Sequence, residues 1–171
     1  PAIEFYTNVV VANREKFGPE FLIPLPSKEV VDRLIDKKDF HETCQEAGLP
    51  VPETTFISRG DFDRGWRAEQ GQLTLPLIVK PTDTDTYQRV SLEGKKKIYR
   101  ADTQQDVDQI VAFIYGSEYR GDLALQQYLA GGEEVMRVAN TYSDPRGKTK
   151  FVSVGQIVLA ELNPQRVGNY N

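Results

Sequence analysis

Residues 75–81 have the sequence LPLIVKP, a compact apolar run that ends in a lysine and a proline. Apolar runs of about four to eight residues between turn signals are typical of buried strands. Such a strand projects the ammonium group of Lys80 from a rigid end, where it can meet an anionic ligand such as phosphate. From the spacing alone, a surface lysine that only faces solvent is the commoner explanation of this pattern.

The segment before this run predicts helices and one strand. Ser27 stands where a helix N-cap belongs, and the apolar residues of 30–35 follow at the spacing of one buried helical face. A second apolar stripe ends at Gly48, in a position where a left-handed conformation favours glycine. Residues 54–57 predict a short strand, and residues 58–72 predict a polar loop.

The segment after the run predicts one helix and a series of strands. Thr103 and Asp106 have the spacing of a capping box, and the apolar residues that follow keep helical spacing, which predicts a helix over about 104–115. The turn sequence DPRG at 144–147 predicts a hairpin between the last two strands. The predicted strands are 97–100, 123–129, 135–142 and 150–162.

Composition excludes several classes of protein. The chain has 171 residues, 39% of them hydrophobic, which suits one ordinary domain or two small ones. The formal net charge of -4, without a block of like charges, argues against nucleic-acid binding. No apolar run approaches the roughly 18–20 residues that span a bilayer, so a cytoplasmic protein is expected. With one cysteine, Cys44, and one histidine, His41, disulfide scaffolds and zinc fingers are excluded.

The ends of the sequence favour an internal segment of a longer protein. The chain starts at Pro1 rather than at methionine, and it stops at Asn171 directly after a strand-like run. Proteolytic processing is the alternative explanation.

Residues 126–134, with the sequence QQYLAGGEE, combine a strand, small residues and two carboxylates. Such a strand exit can offer main-chain groups to a planar base, and a carboxylate nearby can accept hydrogen bonds from ribose hydroxyls. A hairpin turn with acids for solubility explains the pattern equally well. The lysines of 95–97 can cover a polyphosphate or be solvated. For Asp83 and Asp85, the pattern predicts a role in keeping the loop soluble rather than in binding magnesium.

Taken in order, these segments resemble the ATP-grasp superfamily. Asp36 and Lys37 head a helix that runs into EAGLPVPET at 46–54, which is similar to the linker from the central domain to the lid. Residues 77–81 resemble the first lid strand with its phosphate-contacting lysine, and residues 126–133 resemble the hinge that grips adenine and ribose. The likeness is greatest to carboxylate-amine ligases of the D-aspartate ligase and carbamoyl phosphate synthase-like kind. The segments that carry it are 82–87, 93–97 and 155–169.

The resemblance implies an α/β (α+β) architecture, a partial ATP-grasp fold with a helical linker and a lid made of an antiparallel sheet and packed helices. It implies four regions along the chain. Residues 1–57 are the tail of an N-terminal domain and the helical part of the central region, and 58–74 are a polar loop. Residues 75–134 are the lid subdomain, and 135–171 are the first strands of the C-terminal subdomain.

The resemblance also implies an ATP site. Lys37 and Lys80 contact the α- and β-phosphates, and Lys97, from the cluster 95–97, joins them from the lid. Glu133, in preference to Glu134, binds the ribose. The residues that frame the adenine are Gln126, Gln127, Tyr128 and Leu129. The sequence departs from the family pattern in two places. At the hinge, the glutamine Gln126 replaces the usual first glutamate. After Lys80 there is no glycine-rich phosphate loop, so the threonine hydroxyls and backbone amides of 82–86 would have to bind the phosphate instead.

The implied activity is that of a ligase that uses ATP and magnesium to activate a carboxylate as an acyl phosphate and joins it to an amine. Amino acids are among the expected substrates, and a homo-oligomer is one possibility. The metal ligands and the catalytic residues are expected outside this chain, so the segment itself is expected to be inactive. The alternatives are a non-catalytic nucleotide-binding relative and an interaction domain whose lysines only solvate the lid.

Overall fold

The computed structural model describes residues 4–70 and 74–156, and the chain divides into two compact units, residues 1–51 and 52–171. The first unit is helical. It contains α1 (Glu4–Ala12), a 3₁₀ turn (Arg14–Lys16), α2 (Lys28–Ile35) and α3 (Lys37–Glu46). The Arg14 guanidinium donates hydrogen bonds to the carbonyls of Leu25 at 2.6 Å and Pro26 at 2.7 Å, and so fixes the segment before α2.

Side-chain caps mark the N-termini of α2 and α3. The predicted N-cap at Ser27 is confirmed, since its hydroxyl accepts a hydrogen bond from the Val30 amide. Asp36 caps α3, where its carboxylate accepts hydrogen bonds from the amides of Lys38 at 2.8 Å and Asp39 at 2.9 Å. Gly48 follows α3 with a φ of 68°, as predicted for a glycine that ends a helix.

The prediction of one buried face on α2 is wrong for two of its four residues, Val30 and Leu34. Val31 is buried, whereas Val30 is 43% exposed and Leu34 is 48% exposed. Helical spacing determines which side chains share a face, but it does not determine whether another element packs against that face.

The second unit contains a four-stranded antiparallel sheet with the strand order β1-β4-β2-β3. The strands are β1 (Thr54–Ile57), β2 (Leu77–Pro81), β3 (Tyr99–Ala101) and β4 (Leu123–Gln127). The strands predicted at 54–57 and within 75–81 are therefore confirmed. Because β1 pairs with β4, residues 54–57 belong to the same sheet as β2, whereas the sequence-based division placed them with the first region.

Helix α6 (Gln104–Tyr115) packs against one face of this sheet, here termed the core face. Its N-terminus is the predicted capping box of Thr103 and Asp106, and its bounds match the predicted helix. Alternate strand residues point into the core, as a side-chain period of two requires. The buried residues shared by the core face and α6 are Ile57, Leu77, Val79, Tyr99, Ala101, Leu123, Leu125, Val107, Val111, Ile114 and Tyr115.

Residues 58–70 are not the polar loop that the sequence predicted. They form α4 (Arg59–Asp63) and a 3₁₀ turn (Ala68–Gln70). Ser58 and Asp61 form a second capping box, in which Ser58 Oγ accepts a hydrogen bond from the Asp61 amide at 3.1 Å. A helix this short lacks the apolar repeat that identifies longer helices, so its cap was the one available signal.

The last described elements are β5 (Arg137–Ser143) and β6 (Thr149–Gln156), which form an antiparallel hairpin. The predicted turn at 144–147 is confirmed by a hydrogen bond of 2.9 Å from the Gly147 amide to the Asp144 carbonyl. Residues 157–162 of the predicted strand, and the remainder of the C-terminal region up to residue 171, lie outside the described residues. No helix among the described residues is long and apolar enough to cross a membrane.

Candidate functional site

A row of four side chains crosses the sheet on the face opposite the core face. Thr54, Gln126, Ile78 and Arg100 stand opposite one another on β1, β4, β2 and β3. A neighbouring row contains Phe56, Ala124 and Lys80 in the same order of strands. These seven residues define the polar face of the sheet, and alternation along each strand points them away from the core face. The polar face also contains apolar residues, of which Ala124 is 1% exposed.

Lys80, Gln126 and Thr54 form a hydrogen-bonded chain across three strands of the polar face. The Lys80 ammonium donates to Gln126 Oε1 at 2.9 Å, and Gln126 Nε2 donates to Thr54 Oγ1 at 3.0 Å. A lysine is only a donor, so it directs the amide oxygen toward itself and the amide nitrogen toward Thr54. Gln126 is neutral, so this hydrogen bond orients the Lys80 ammonium without offsetting its charge.

The predicted hinge follows β4 at the edge of this row. The Tyr128 amide donates to the Pro76 carbonyl at 3.0 Å, which extends the pairing with the β2 segment by one residue. The next residue, Leu129, is 61% exposed, and within residues 4–70 and 74–156 its amide and carbonyl have no hydrogen-bond partner. Such main-chain groups at a strand exit can bind the edge of a planar base.

The two acidic candidates lie in the turn after the hinge. Glu133 begins a 3₁₀ turn (Glu133–Val135), and its side chain lies outside what the structure describes. Glu134 Oε1 accepts a hydrogen bond from the Gly132 amide at 3.0 Å. Hydrogen bonds from its own backbone N–H and from Gly132 lower the pKa of the Glu134 carboxyl. Glu134 thus remains ionised near the hinge and helps to shape the turn.

The lysine cluster at 95–97 divides into different roles. The Lys95 ammonium donates to the carbonyls of Gln88 and Val90, each at 2.7 Å, at the end of α5 (Thr84–Arg89). Lys95 is therefore a helix-capping residue.

The two other candidate lysines lie in different parts of the chain. Lys97 is half-buried and precedes β3 by two positions. Lys37 is the first residue of α3 and belongs to the first unit.

The donors expected to replace a phosphate loop at 82–86 are engaged within the chain. Thr82 Oγ1 donates to the Asp122 carbonyl at 3.0 Å, and the Thr86 amide donates to Asp83 Oδ1 at 2.9 Å. The Thr86 hydroxyl also bonds to the Asp83 carboxylate. Asp83 caps α5 in this way, so the side chains of Thr82 and Thr86 and the Thr86 amide are bonded within the chain.

Arg100 and Thr54 are site residues that the sequence did not identify. Arg100 Cζ lies 4.6 Å from the centroid of the Tyr128 ring, at the hinge. Arg100 stands between Tyr99 and Ala101, which are both buried, and this alternation places Arg100 on the opposite face of β3. A strand of three residues is too short for such alternation to be recognised in the sequence.

A cavity of about 30 Å³ lies beside the hinge and is lined by Glu53, Thr54 and Gln127, among others. This volume suits a water molecule rather than a nucleobase, so this cavity does not hold a base. The described residues contain no group of three or more His, Cys, Asp or Glu side chains that could hold a metal ion.

No protein-family model matches the chain. A D-aspartate ligase of Enterococcus faecium is 27% identical over 165 residues, which are 96% of this chain and 39% of the relative. The chain therefore spans about two fifths of the length of this relative.

Two solved structures share the fold of the chain. The D-Ala:D-Ser ligase VanG from Enterococcus faecalis aligns with a TM-score of 0.51 and 16% identity, over 75% of this chain and 32% of the ligase. The D-alanine-D-alanine ligase from Helicobacter pylori aligns with a TM-score of 0.53 and 11% identity, over 85% of this chain and 40% of the ligase. These similarities confirm the resemblance drawn from the sequence: the chain has a partial ATP-grasp fold of the kind found in carboxylate-amine ligases.

Proposed function

We propose that the polar face binds ATP and that the full-length protein is an ATP-dependent carboxylate-amine ligase. The observation that supports this most is the hydrogen-bonded chain of Lys80, Gln126 and Thr54 beside the hinge. It presents one oriented ammonium on a rigid strand, and β4, which carries Gln126, leads on to the exposed residue Leu129 at the hinge. A nucleotide requires this combination, since its phosphates are anionic and its base is planar with polar edges.

The proposed site assigns a role to each candidate residue. Lys80 binds the α- and β-phosphates, and Lys97 adds positive charge from the segment before β3. The residues of 126–129 frame the adenine. Glu133, in preference to Glu134, accepts hydrogen bonds from the ribose hydroxyls. Fixed ammonium groups favour phosphoryl transfer because they neutralise charge that spreads over the phosphoryl oxygens.

The proposed reaction has two steps. A carboxylate oxygen attacks the terminal phosphorus of ATP, the bond from that phosphorus to the bridging oxygen breaks, and ADP leaves with an acyl phosphate remaining. An amine nitrogen then attacks the acyl carbon, inorganic phosphate leaves, and the amine loses a proton. The name of the relative, D-aspartate ligase, supports an amino acid as one substrate.

Nucleotide binding is tested by titrating the full-length protein with ATP and following the melting temperature. At 100-fold excess over the dissociation constant, a ligand adds ~2.7 kcal/mol to the free energy of unfolding. For a chain of 171 residues this corresponds to a rise in melting temperature of roughly 5–10 °C, and the rise is smaller in the longer full-length protein. Lys80→Ala should remove this rise. Lys148→Ala is the matched control, because it removes the same charge from an exposed turn position of the hairpin and should leave the rise intact.

Catalysis is tested by measuring ADP release from the full-length protein with Mg-ATP and pools of amino acids and small carboxylates. The ligase predicts release that depends on both a carboxylate and an amine. A protein that binds ATP but releases no ADP with any of these pools would instead be a non-catalytic nucleotide-binding relative. A protein that does not bind ATP at all would contradict both versions of the proposal.

A further inference from the structure

Arg100 and Tyr128 form a cation–π pair at the base end of the proposed site. The guanidinium carbon of Arg100 lies 4.6 Å from the centroid of the Tyr128 ring. Arg100 Nε and Nη2 donate to Asp102 Oδ1 at 2.9 and 2.8 Å, which fixes the plane of the guanidinium. A guanidinium over an aromatic face is attracted electrostatically by the ring, and arginine stacks better than lysine because it is planar.

The register of the strands shows which end of the site this pair occupies. On β2, Ile78 stands opposite both Arg100 and Gln126. Lys80 lies two residues further along in one direction, and Pro76, which pairs with Tyr128, lies two residues along in the other. The Arg100 guanidinium is therefore directed toward the hinge and away from Lys80.

Two contacts hold Tyr128 in place. Its amide donates to the Pro76 carbonyl at 3.0 Å, and its ring lies against Arg100. The next residues, 129–132, are all exposed, and Gly131 has a φ of 130°. The ring contact is thus the last side-chain contact before the chain leaves the sheet, within the residues that the structure describes. Loss of this contact should allow the main chain at 128 and 129 to shift.

We propose that Arg100 is a positioning residue for the nucleobase, which acts through the Tyr128 ring to fix the main-chain groups of the hinge. This inference rests on the proposed ATP site. It assigns Arg100 to recognition of the base, even though arginine is more often a phosphate ligand. The ion pair with Asp102 supports this assignment, because two of the guanidinium N–H groups are already bonded to a carboxylate.

The test compares the affinities of ATP and of adenosine for the full-length protein and its variants. Arg100→Ala should weaken both ligands by the same factor, about two- to fivefold, because an exposed cation–π contact is of that strength. Arg100→Lys should lie between the wild type and Arg100→Ala, since it keeps the charge but loses the planar stack. On a Tyr128→Leu background, Arg100→Ala should have no further effect, because the partner through which it acts is gone.

The matched control is Arg64→Ala. Arg64 also forms an exposed ion pair with an aspartate, at 2.5 Å from Asp61, but it lies after α4, and no contact with Tyr128 is present among the described residues. This variant should bind ATP and adenosine like the wild type. The melting temperature without ligand reports whether each variant is folded.

Three results distinguish the possibilities. If Arg100→Ala weakens ATP binding and leaves adenosine binding unchanged, Arg100 acts on the phosphates and the inference is wrong. If neither affinity changes, Arg100 has no role in the site, although the ATP site itself still stands. If the wild type binds no ATP, the proposed function fails first.

Discussion

The four-stranded sheet and the hairpin β5–β6 are both antiparallel, but their side chains have opposite surroundings. In the sheet, Leu125 on the core face is 1% exposed, while its neighbour Gln126 lies on the polar face and bonds to Lys80. In the hairpin, every residue of both strands is exposed. Phe151 and Val152 are adjacent and point to opposite faces, so the hairpin has apolar side chains on both of them.

The difference separates stability from binding. The sheet buries one face against α6, and that burial holds the backbone on which the polar face is built. Polar residues such as Lys80 and Thr54 are then available to bind a ligand, because the stability of the sheet comes from the core face. The hairpin lacks such a core within the described residues, and an isolated two-stranded hairpin is only marginally stable in water. We therefore expect substitutions to affect the two regions very differently.

Leu125→Ala should give the largest effect, a loss of about 2–5 kcal/mol in the free energy of unfolding, because it opens a cavity on the core face. Val154→Ala, on the hairpin at 65% exposure, should change that free energy by less than about 0.5 kcal/mol. Urea denaturation of both variants measures the contrast. Equal losses would show that the hairpin is as well packed as the sheet.

Gly131→Ala should cost about 1–3 kcal/mol, since a φ of 130° is strained for any residue with a side chain. A Cβ atom there would also lie 2.5 Å from Val135 Cγ2. Gly147→Ala in the hairpin turn has a positive φ of 77° but open space around it, and it serves as the control for strain without a clash. The melting temperatures should rank Gly131→Ala below Gly147→Ala, and the reverse order would count against the hinge geometry.

Thr103→Ala should cost about 1 kcal/mol, because it removes the N-cap of α6, the helix that covers the core face. Hydrogen bonds from the Thr103 side chain and backbone lower the pKa of Asp106, so the same variant should raise that pKa. An NMR titration of the Asp106 carboxyl measures the change. An unaltered pKa would mean that the capping box does not form in solution.

The smallest effect is expected at Asp144 in the hairpin turn. Hydrogen bonds from the Lys148 amide, a bond from the Lys150 side chain and one from the Arg146 amide lower the pKa of Asp144. The stability that the ionised Asp144 carboxylate gives to the turn is therefore complete above the ordinary pKa of about 3.9. It is lost as the pH falls through the lowered pKa. Amide exchange at Arg146 and Lys148 should accelerate at low pH beyond the intrinsic pH dependence, and Asp144→Asn should abolish that extra acceleration. If the extra acceleration persists in Asp144→Asn, the protonation of another group causes it.

Local signals in the sequence predicted the elements that depend on nearby residues. The capping box of Thr103 and Asp106 and the apolar spacing after it define α6 without any tertiary information. The same holds for the turn at Asp144 and the N-cap at Ser27. The helix α4 was missed because its one signal, the cap of Ser58 and Asp61, precedes no apolar repeat.

The candidate site depends on contacts between distant residues, which spacing does not specify. Lys80 and Gln126 are 46 positions apart, and Gln126 and Thr54 are 72 apart. Their meeting follows from the order β1-β4-β2 and from its register. The resemblance to ATP-grasp proteins supplied Lys80 and Gln126, but it did not supply Thr54 or Arg100, which only the register of the sheet reveals.

Hydrogen–deuterium exchange of the full-length protein with and without ATP tests the central claim most directly. The amides of Leu129 and Ala130 have no partner within the described part of the chain, so they should exchange rapidly in the free protein. Bound ATP should slow exchange at these hinge amides and leave the hairpin turn at 144–147 unchanged. ATP binding without protection of the hinge would contradict the account, because the base would then lie away from the polar face.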